Sequence, residues 1–290
     1  MAHEYHRELE LACKAVQLCA VLTDRVQKQT LDTNTTLEKW DRSPVTICDI
    51  AVQALLTSAV QGEFPDDLFL AEEGADEFRQ NGTLLNQVWA LVRSVASSFE
   101  GAGLMTPASR DDIPDLIDLG GKNQLSSGHR TWVFDPIDGT ATFLKGQQYA
   151  INCAFLIDGR EEIGIIGCPN LSLEAATASE QDVDHGLGLM VCAVRQGGTF
   201  ARSMQNSSNL APATKVSRSE DASLVWTDCS TYTSIIKPLH QKVAAELSVD
   251  WPGVDLYSSL VKYAACGLGR ANVCIRIFKY GSWKSNMYVL

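Results

Sequence analysis

The stretch T-W-V-F-D-P-I-D-G-T at residues 131–140 ends an apolar run in two acids, Asp135 and Asp138, with Pro136 between them and Gly139 and Thr140 after them. Proline fixes φ and stiffens the bend, which suits holding both carboxylates on one side of a turn, and glycine lets backbone N–H groups approach an anion closely. The next residues, T-A-T-F-L-K, open a helix whose free N–H groups face the same point. Carboxylates for a hard cation and amides for a phosphate therefore converge. Mg²⁺ takes a few carboxylates together with water and substrate phosphate oxygens, so this is the inventory of metal-assisted phosphoryl chemistry. An ordinary Asp-Gly turn with an N-cap uses the same residue types, and the string alone leaves both readings open. Two further acids, Glu72 and Glu73, stand at the abrupt end of the apolar run Leu68 to Ala71, where a buried strand would deliver them. Asp49 lies near a helix start and, taken alone, reads as a first-turn acid that complements the helix dipole.

The elements that must position these acids are legible from periodicity. Leu11, Ala15, Leu18, Cys19, Leu22 and Val26 recur at the spacing of an amphipathic helix, predicted over about 3–28. Ser43 or Thr46 as N-cap and Pro44 in the first turn start a second helix that runs to Val60 and stops at Gly62 and Pro65. A helix from Leu84 to Phe99 follows, then a Gly-, Pro- and Asp-rich segment, 101–128, read as loop with one helical turn around Leu116. From Thr131 the chain becomes strand-rich, with runs at Tyr149 to Ile157, Ile163 to Cys168 and Leu187 to Val194, and short strands at Leu224 to Trp226 and Val273 to Ile277. Helices are expected at Leu239 to Leu247 and Ser259 to Cys266. The fold class is α+β or α/β, divided into a metal-binding domain over 1–160, with an insertion at about 80–130, and a substrate domain over 161–290.

Composition narrows the function. Hydrophobic residues make up 45% and charged residues 20%, an ordinary globular balance that excludes disordered, collagen-like and coiled-coil classes. The net charge of −11 argues against capture of a nucleic acid polymer, so a phosphate ligand needs local help. No apolar run approaches the ~20 residues of a membrane helix, and the N-terminal residues lack a signal peptide's apolar centre, so a cytosolic or nuclear protein with no membrane partner is expected, cytoplasmic in the simplest case. The nine cysteines form no C-x-x-C pair and read as reduced core thiols.

K-W-D-R-S-P-V-T-x-x-D at 39–49, A-E-E-G at 71–74, W-V-F-D-P-I-D-G-T at 132–140 and G-C-P-N-L at 167–171 resemble, in order and spacing, the lithium-sensitive Mg²⁺-dependent phosphatases. That superfamily includes inositol monophosphatases and fructose bisphosphatases. The long segment before D-P-I-D-G-T, with I-D-L-G at 117–120, is similar to the 3'(2'),5'-bisphosphate nucleotidases. The resemblance implies a layered α-β-α-β sugar-phosphatase-like fold and one to two Mg²⁺ ions. Glu72, Asp135 and the carbonyl of Ile137 would hold one ion, and Asp135 with Asp138 would approach a second. Asp49 and Thr140 would orient and deprotonate the attacking water, displacing the dipole-only reading of Asp49, while the amides of Gly139 and Thr140 hold the phosphate. Ser259, Lys262 and Arg276 would face the remaining phosphate and the adenosine; solvated surface charge is the alternative for the two cations. The substrate implied is a small phosphorylated nucleotide, adenosine 3',5'-bisphosphate or its phosphosulfate relative; the sequence does not fix the oligomeric state, and a monomer is the expectation.

The chain also departs from that family. Outward from I-R-I at 275–277, Val289 stands where a metal-binding Asp of a W-D-x-A-G helix is expected, and residues 256–290 contain no Asp or Glu. The resemblance therefore implies a second domain short of its last helix and strands. D-C-S-T-Y-T-S at 228–234 lacks the family's histidines, Ser258 and Leu260 replace an Asp and a Gln, and Ala141 replaces a Lys. Two alternatives follow: an inositol monophosphatase-like enzyme, or a non-catalytic relative without the second metal site.

Overall fold

The computed structural model describes residues 4–32, 44–121, 128–172, 178–181, 183, 186–205, 210–216, 224–231 and 236–275. Helix α1 (His6–Asp32) buries the whole predicted stripe from Leu11 to Val26 and ends a turn later than expected, where the Thr30 hydroxyl donates to the Val26 carbonyl. Helix α2 (Pro44–Glu63) starts on proline as foreseen, which makes Thr46 a helical residue and not the cap; Ser43 lies outside the described residues. It also runs one residue past Gly62, whose missing side chain leaves room for Met105.

Strand β1 (Leu68–Ala71) matches the predicted run, and α3 (Asp76–Gln80) and α4 (Gly82–Gly101) follow, the latter capped by the Asn81 side chain accepting from the Leu84 amide at 3.0 Å. The segment expected to be loop is more ordered than its Gly and Pro content suggested. After a 3₁₀ turn at Arg110–Asp112 comes α5 (Ile113–Gly121), whose Ile113, Leu116, Ile117 and Gly120 are buried at helical spacing. Gly120 permits this packing: a Cβ there would sit 2.7 Å from the Ala71 Cβ, so α5 presses directly on the end of β1.

Strands β2 (Arg130–Asp138), β3 (Ala150–Ile157), β4 (Arg160–Cys168), β5 (Leu189–Val194), β6 (Gly198–Ser203) and β7 (Thr214–Lys215) join β1 in one sheet, in sequence order, with the four-residue α6 (Thr140–Phe143) between β2 and β3. β1 pairs with β2 in parallel and the other neighbours are antiparallel. The turn between β3 and β4, near the expected division at residue 160, lies inside this continuous sheet. β6 and β7 carry no strong period and were not foreseen. The short strand expected at Leu224 to Trp226 is one isolated bridge, Trp226 to Val273, next to the pair β8 (Thr227–Asp228) and β9 (Val254–Asp255); helices α7 (Ile236–Glu246) and α8 (Ser259–Gly267) complete the described chain.

The sheet carries apolar side chains on both faces, as a layered fold requires. The larger core joins α1, α2 and α4 to one face through Trp132, Phe134, Phe155 and Ile165. On the other, Leu260, Val261, Ala264 and Ala265 of α8 pack on Ala150, Ile166, Cys168 and Leu189. At the rim of the larger core, Arg130 lies between the Phe64 and Phe155 rings and pairs with Asp67 and Glu8, while Trp132 Nε1 donates to Asp67 at 2.8 Å. All nine cysteines are free thiols, and burial pushes those of Cys19, Cys48, Cys153 and Cys168 up, the last to about 12.

Candidate active site

Sheet register brings the acids together. Ala71 pairs with Phe134 in the parallel β1–β2 ladder, so the next residues along, Glu72 and Asp135, lie side by side at the strand ends. Asp135 is buried at 2% exposure, whereas Glu72 is exposed. Between Asp135 and Asp138 the β2–β3 register slips, pairing these residues with Asn152 and Ala150, so β2 carries one extra residue in a bulge that re-aims the chain around Pro136 and Ile137. Asp49 of α2 reaches this bulge: its carboxylate, 7% exposed, accepts a hydrogen bond from the Ile137 backbone. Burial pushes its pKa well above the usual carboxylate range, and Glu73, Asp135 and Glu72 push it further, with the Ile137 hydrogen bond as the opposing effect. The role of Asp49 as a mere dipole partner is thereby replaced by membership of a crowded acidic cluster.

Several residues that position the cluster were missed in the sequence. Gln53, fully buried on α2, receives the Glu73 amide at Oε1 (3.1 Å) and donates through Nε2 to the Glu73 carbonyl (3.2 Å) and the Ile117 carbonyl (3.5 Å), pinning the strand end and α5 together. Gly139 has φ of 96°, and a Cβ there would meet the Thr142 hydroxyl at 2.9 Å and the Ser258 Cβ at 3.1 Å, so the turn requires glycine. The Thr142 hydroxyl lies 2.8 Å from the Gly139 carbonyl and 2.6 Å from that of Gln148. Asn170, in the G-C-P-N-L motif, donates to Gln27 of α1 at 2.9 Å and to the Gln147 carbonyl at 2.7 Å, and Gln27 donates to the Phe143 carbonyl at 2.9 Å. The available signal was a polar amide on the apolar face of a helix, as at Gln27 and Gln53. Most buried amides are hydrogen-bonded, so one at such a position points to a partner across the fold.

Thr140 is exposed at the start of α6, its hydroxyl 3.5 Å from the Ile137 carbonyl. Asp138 is turned toward α8: its Oδ2 accepts from the Ser258 hydroxyl at 2.6 Å and from the Leu260 amide at 2.7 Å. Ser258 also caps α8 by accepting from the Val261 amide at 3.1 Å. Ser259 is half-buried on that helix, and Lys262 is 2% exposed, which rules out a solvated surface lysine. Its charge acts on Glu180, whose carboxylate accepts from the Tyr257 amide (2.6 Å) and the Gln148 amide (3.0 Å); burial still raises the Glu180 pKa. Within the segment that lacks the expected histidines, Asp228 is a buried acceptor for His240 Nδ1 (2.7 Å) and Trp251 Nε1 (2.6 Å), a structural anchor for β8. Arg276 and Val289 lie outside the described residues.

The donor set suits a hard divalent cation. It consists of carboxylate and carbonyl oxygens, and the mutual repulsion that pushes Asp49 up is what a cation relieves. Among the described residues no three His, Cys, Asp or Glu side chains close on one point, so the donors stand as neighbours and not as a finished shell. The turn of Asp138 toward α8 is one reason.

The model of the inositol monophosphatase family matches residues 4–283. The 3',5'-bisphosphate nucleotidase 2 of Arabidopsis thaliana is 35% identical over 277 residues, covering 94% of this chain and 78% of its own length. The 3'(2'),5'-bisphosphate nucleotidase of Emericella nidulans is 33% identical over 294 residues, covering 94% and 80%. Among solved structures, CysQ from Bacteroides thetaiotaomicron, a bacterial member of the same family, superposes with a TM-score of 0.53 at 16% identity over 90% of this chain and 76% of that one, a likeness of fold. With a family match over nearly its whole length and relatives 33–35% identical over 94% of it, the chain belongs to the inositol monophosphatase family.

Proposed function

We propose that this protein is a Mg²⁺-dependent phosphomonoester hydrolase of the 3'(2'),5'-bisphosphate nucleotidase type that removes the 3'-phosphate of adenosine 3',5'-bisphosphate, with the corresponding phosphosulfate as a second substrate. The observation that carries the reading is the register of β1 on β2, which sets Glu72 beside Asp135 with Asp49 docked on the intervening bulge. The names of the relatives supply the substrate class. Glu72, Asp135 and the Ile137 carbonyl would hold the first divalent cation, and Asp135 with Asp138 would approach a second. Bound there, such a cation neutralises the phosphate ester and its leaving oxygen and acidifies water.

The protein's own groups do the rest. Burial, and after it the crowding by Glu73, Asp135 and Glu72, raises the affinity of Asp49 for a proton, which suits it to accept one from a water at the bulge. The Thr140 hydroxyl, exposed beside the Ile137 carbonyl, orients that water, and the Gly139 and Thr140 amides take the phosphate oxygens. Lys262, with Ser259 on α8 and Arg276 beyond, gives the nucleotide's other phosphate a cationic partner.

Phosphate release from adenosine 3',5'-bisphosphate, its phosphosulfate relative and inositol monophosphate, each against rising Mg²⁺, tests this reading. Release from the bisphosphate that exceeds the inositol ester, vanishes in chelator and falls about 100-fold or more in Asp135→Asn is expected. Preference for the inositol ester would overturn the substrate assignment. Release unaffected by Asp135→Asn or by chelator would overturn the site.

A further inference from the structure

Asp138 does something the acidic turn alone does not require. A carboxylate oxygen has two lone-pair directions in its plane, and at Asp138 Oδ2 both are taken, by the Ser258 hydroxyl at 2.6 Å and the Leu260 amide at 2.7 Å. Both distances fall in the charge-assisted range. The donors belong to the start of α8, and Leu260, Val261, Ala264 and Ala265 fix that helix against the second face of the sheet. Asp138 therefore joins the turn after β2 to the helix that carries Ser259 and Lys262. A cation approaching this carboxylate meets it with one oxygen committed. Binding at Oδ1 withdraws charge from Oδ2 and weakens both hydrogen bonds, and binding at Oδ2 displaces one of them. Either way the two uses of Asp138 oppose each other.

We infer that Ser258 competes with a divalent cation for Asp138, so that filling the Asp138 position and holding the start of α8 on the acidic turn are negatively coupled. Ser258 sets the strength of the coupling. Linkage makes it reciprocal: whatever tightens α8 on Asp138 weakens the cation there by the same factor. The inference rests on the cation-dependent reading above and adds a positioning role for Ser258 that the hydrolysis itself does not demand.

Mn²⁺ binding to the intact chain without nucleotide, followed by electron paramagnetic resonance and calorimetry, separates the possibilities. Ser258→Gly removes the hydroxyl while glycine remains an acceptable N-cap. The weaker Mn²⁺ component should tighten about tenfold in Ser258→Gly, the worth of one hydrogen bond to a charged group, and should be lost in Asp138→Asn while the tighter component persists. A wild-type isotherm for Ser258→Gly, with the weaker component gone from Asp138→Asn, overturns the competition and leaves the cation site standing. A wild-type isotherm for Asp138→Asn removes Asp138 as a donor, and the competition with it. Thermal melting in chelator reads the contact without any metal: Ser258→Gly and Asp138→Ala should be non-additive, since each deletes the same hydrogen bond, and strict additivity overturns the shared contact.

Discussion

Gln53→Leu is the sharpest probe of how the acids are held. Gln53 is fully buried, and its amide exchanges two hydrogen bonds with the Glu73 backbone, at 3.1 and 3.2 Å, with a longer one to Ile117 at 3.5 Å. Leucine fills similar volume but leaves the Glu73 N–H and C=O without that partner. A stranded polar group costs about 1–3 kcal/mol when fully buried, but Glu73 is half-buried, so water recovers part of the loss and leucine's apolar contacts return more, leaving a net loss of about 1–3 kcal/mol. At about 2 cal/mol/K of unfolding entropy per residue, that lowers the melting temperature of a chain this long by roughly 2–5 °C. Catalysis should suffer more than stability. Glu73 is bonded to Gln53 and Glu72 is its neighbour, and a misplacement of about 1 Å at a catalytic group costs about 100-fold in rate. Calorimetry in chelator gives the stability, kcat/KM on the bisphosphate gives the rate, and Mn²⁺ titration should show the tighter ion weakened. A variant that melts within about 1 °C of wild type and keeps its rate would refute the claim that Gln53 pins the strand end.

Two further outcomes follow from the charges. Asp49 has a folded pKa raised above its unfolded value, by burial first and then by Glu73, Asp135 and Glu72, so metal-free wild type should lose stability as pH rises from the unfolded value of about 4 toward the raised one. Asp49→Asn should remove that slope, leaving the metal-free variant more stable than wild type at neutral pH and inactive; melting curves from pH 4 to 8 in chelator check it, and parallel curves would refute it. Asp67→Ala strands the buried Trp132 N–H and breaks the pair with Arg130. Arg130 is about one-third exposed, so solvent screening places the loss at about 2–3 kcal/mol, with a smaller loss for Asp67→Asn; urea unfolding midpoints measure both.

Much of the scaffold was legible because its signals are local. The stripe from Leu11 to Val26, the proline start of α2, the run Leu68–Ala71 and the strand that runs into Asp135 and Asp138 each sit where period and end signals place them. The helix α5 was underestimated because Gly120, Gly121 and Pro114 read locally as loop, although Gly120 is there so that the helix can touch Ala71. β6 escaped because a paired strand with half-buried faces has weak alternation, and its stability comes from the β5 ladder. Glu180 was not singled out, since nothing near residue 180 announces that it will accept amides from Gln148 and Tyr257.

By itself the sequence determined which oxygens are available and where they sit, Asp49 near a helix start and Glu72, Asp135 and Asp138 at the ends of apolar runs: all declare themselves by type, order and spacing. Only the tertiary structure decided which of them face one another. Register put Glu72 beside Asp135, burial and mutual repulsion raised the pKa of Asp49, and two hydrogen bonds turned Asp138 toward α8. The physical reason is the range of the forces. Propensity and hydrophobic period act over a few residues of chain, whereas electrostatics and hydrogen bonding act over a few ångströms of space, between residues that the sequence holds as far apart as Asp138 and Ser258.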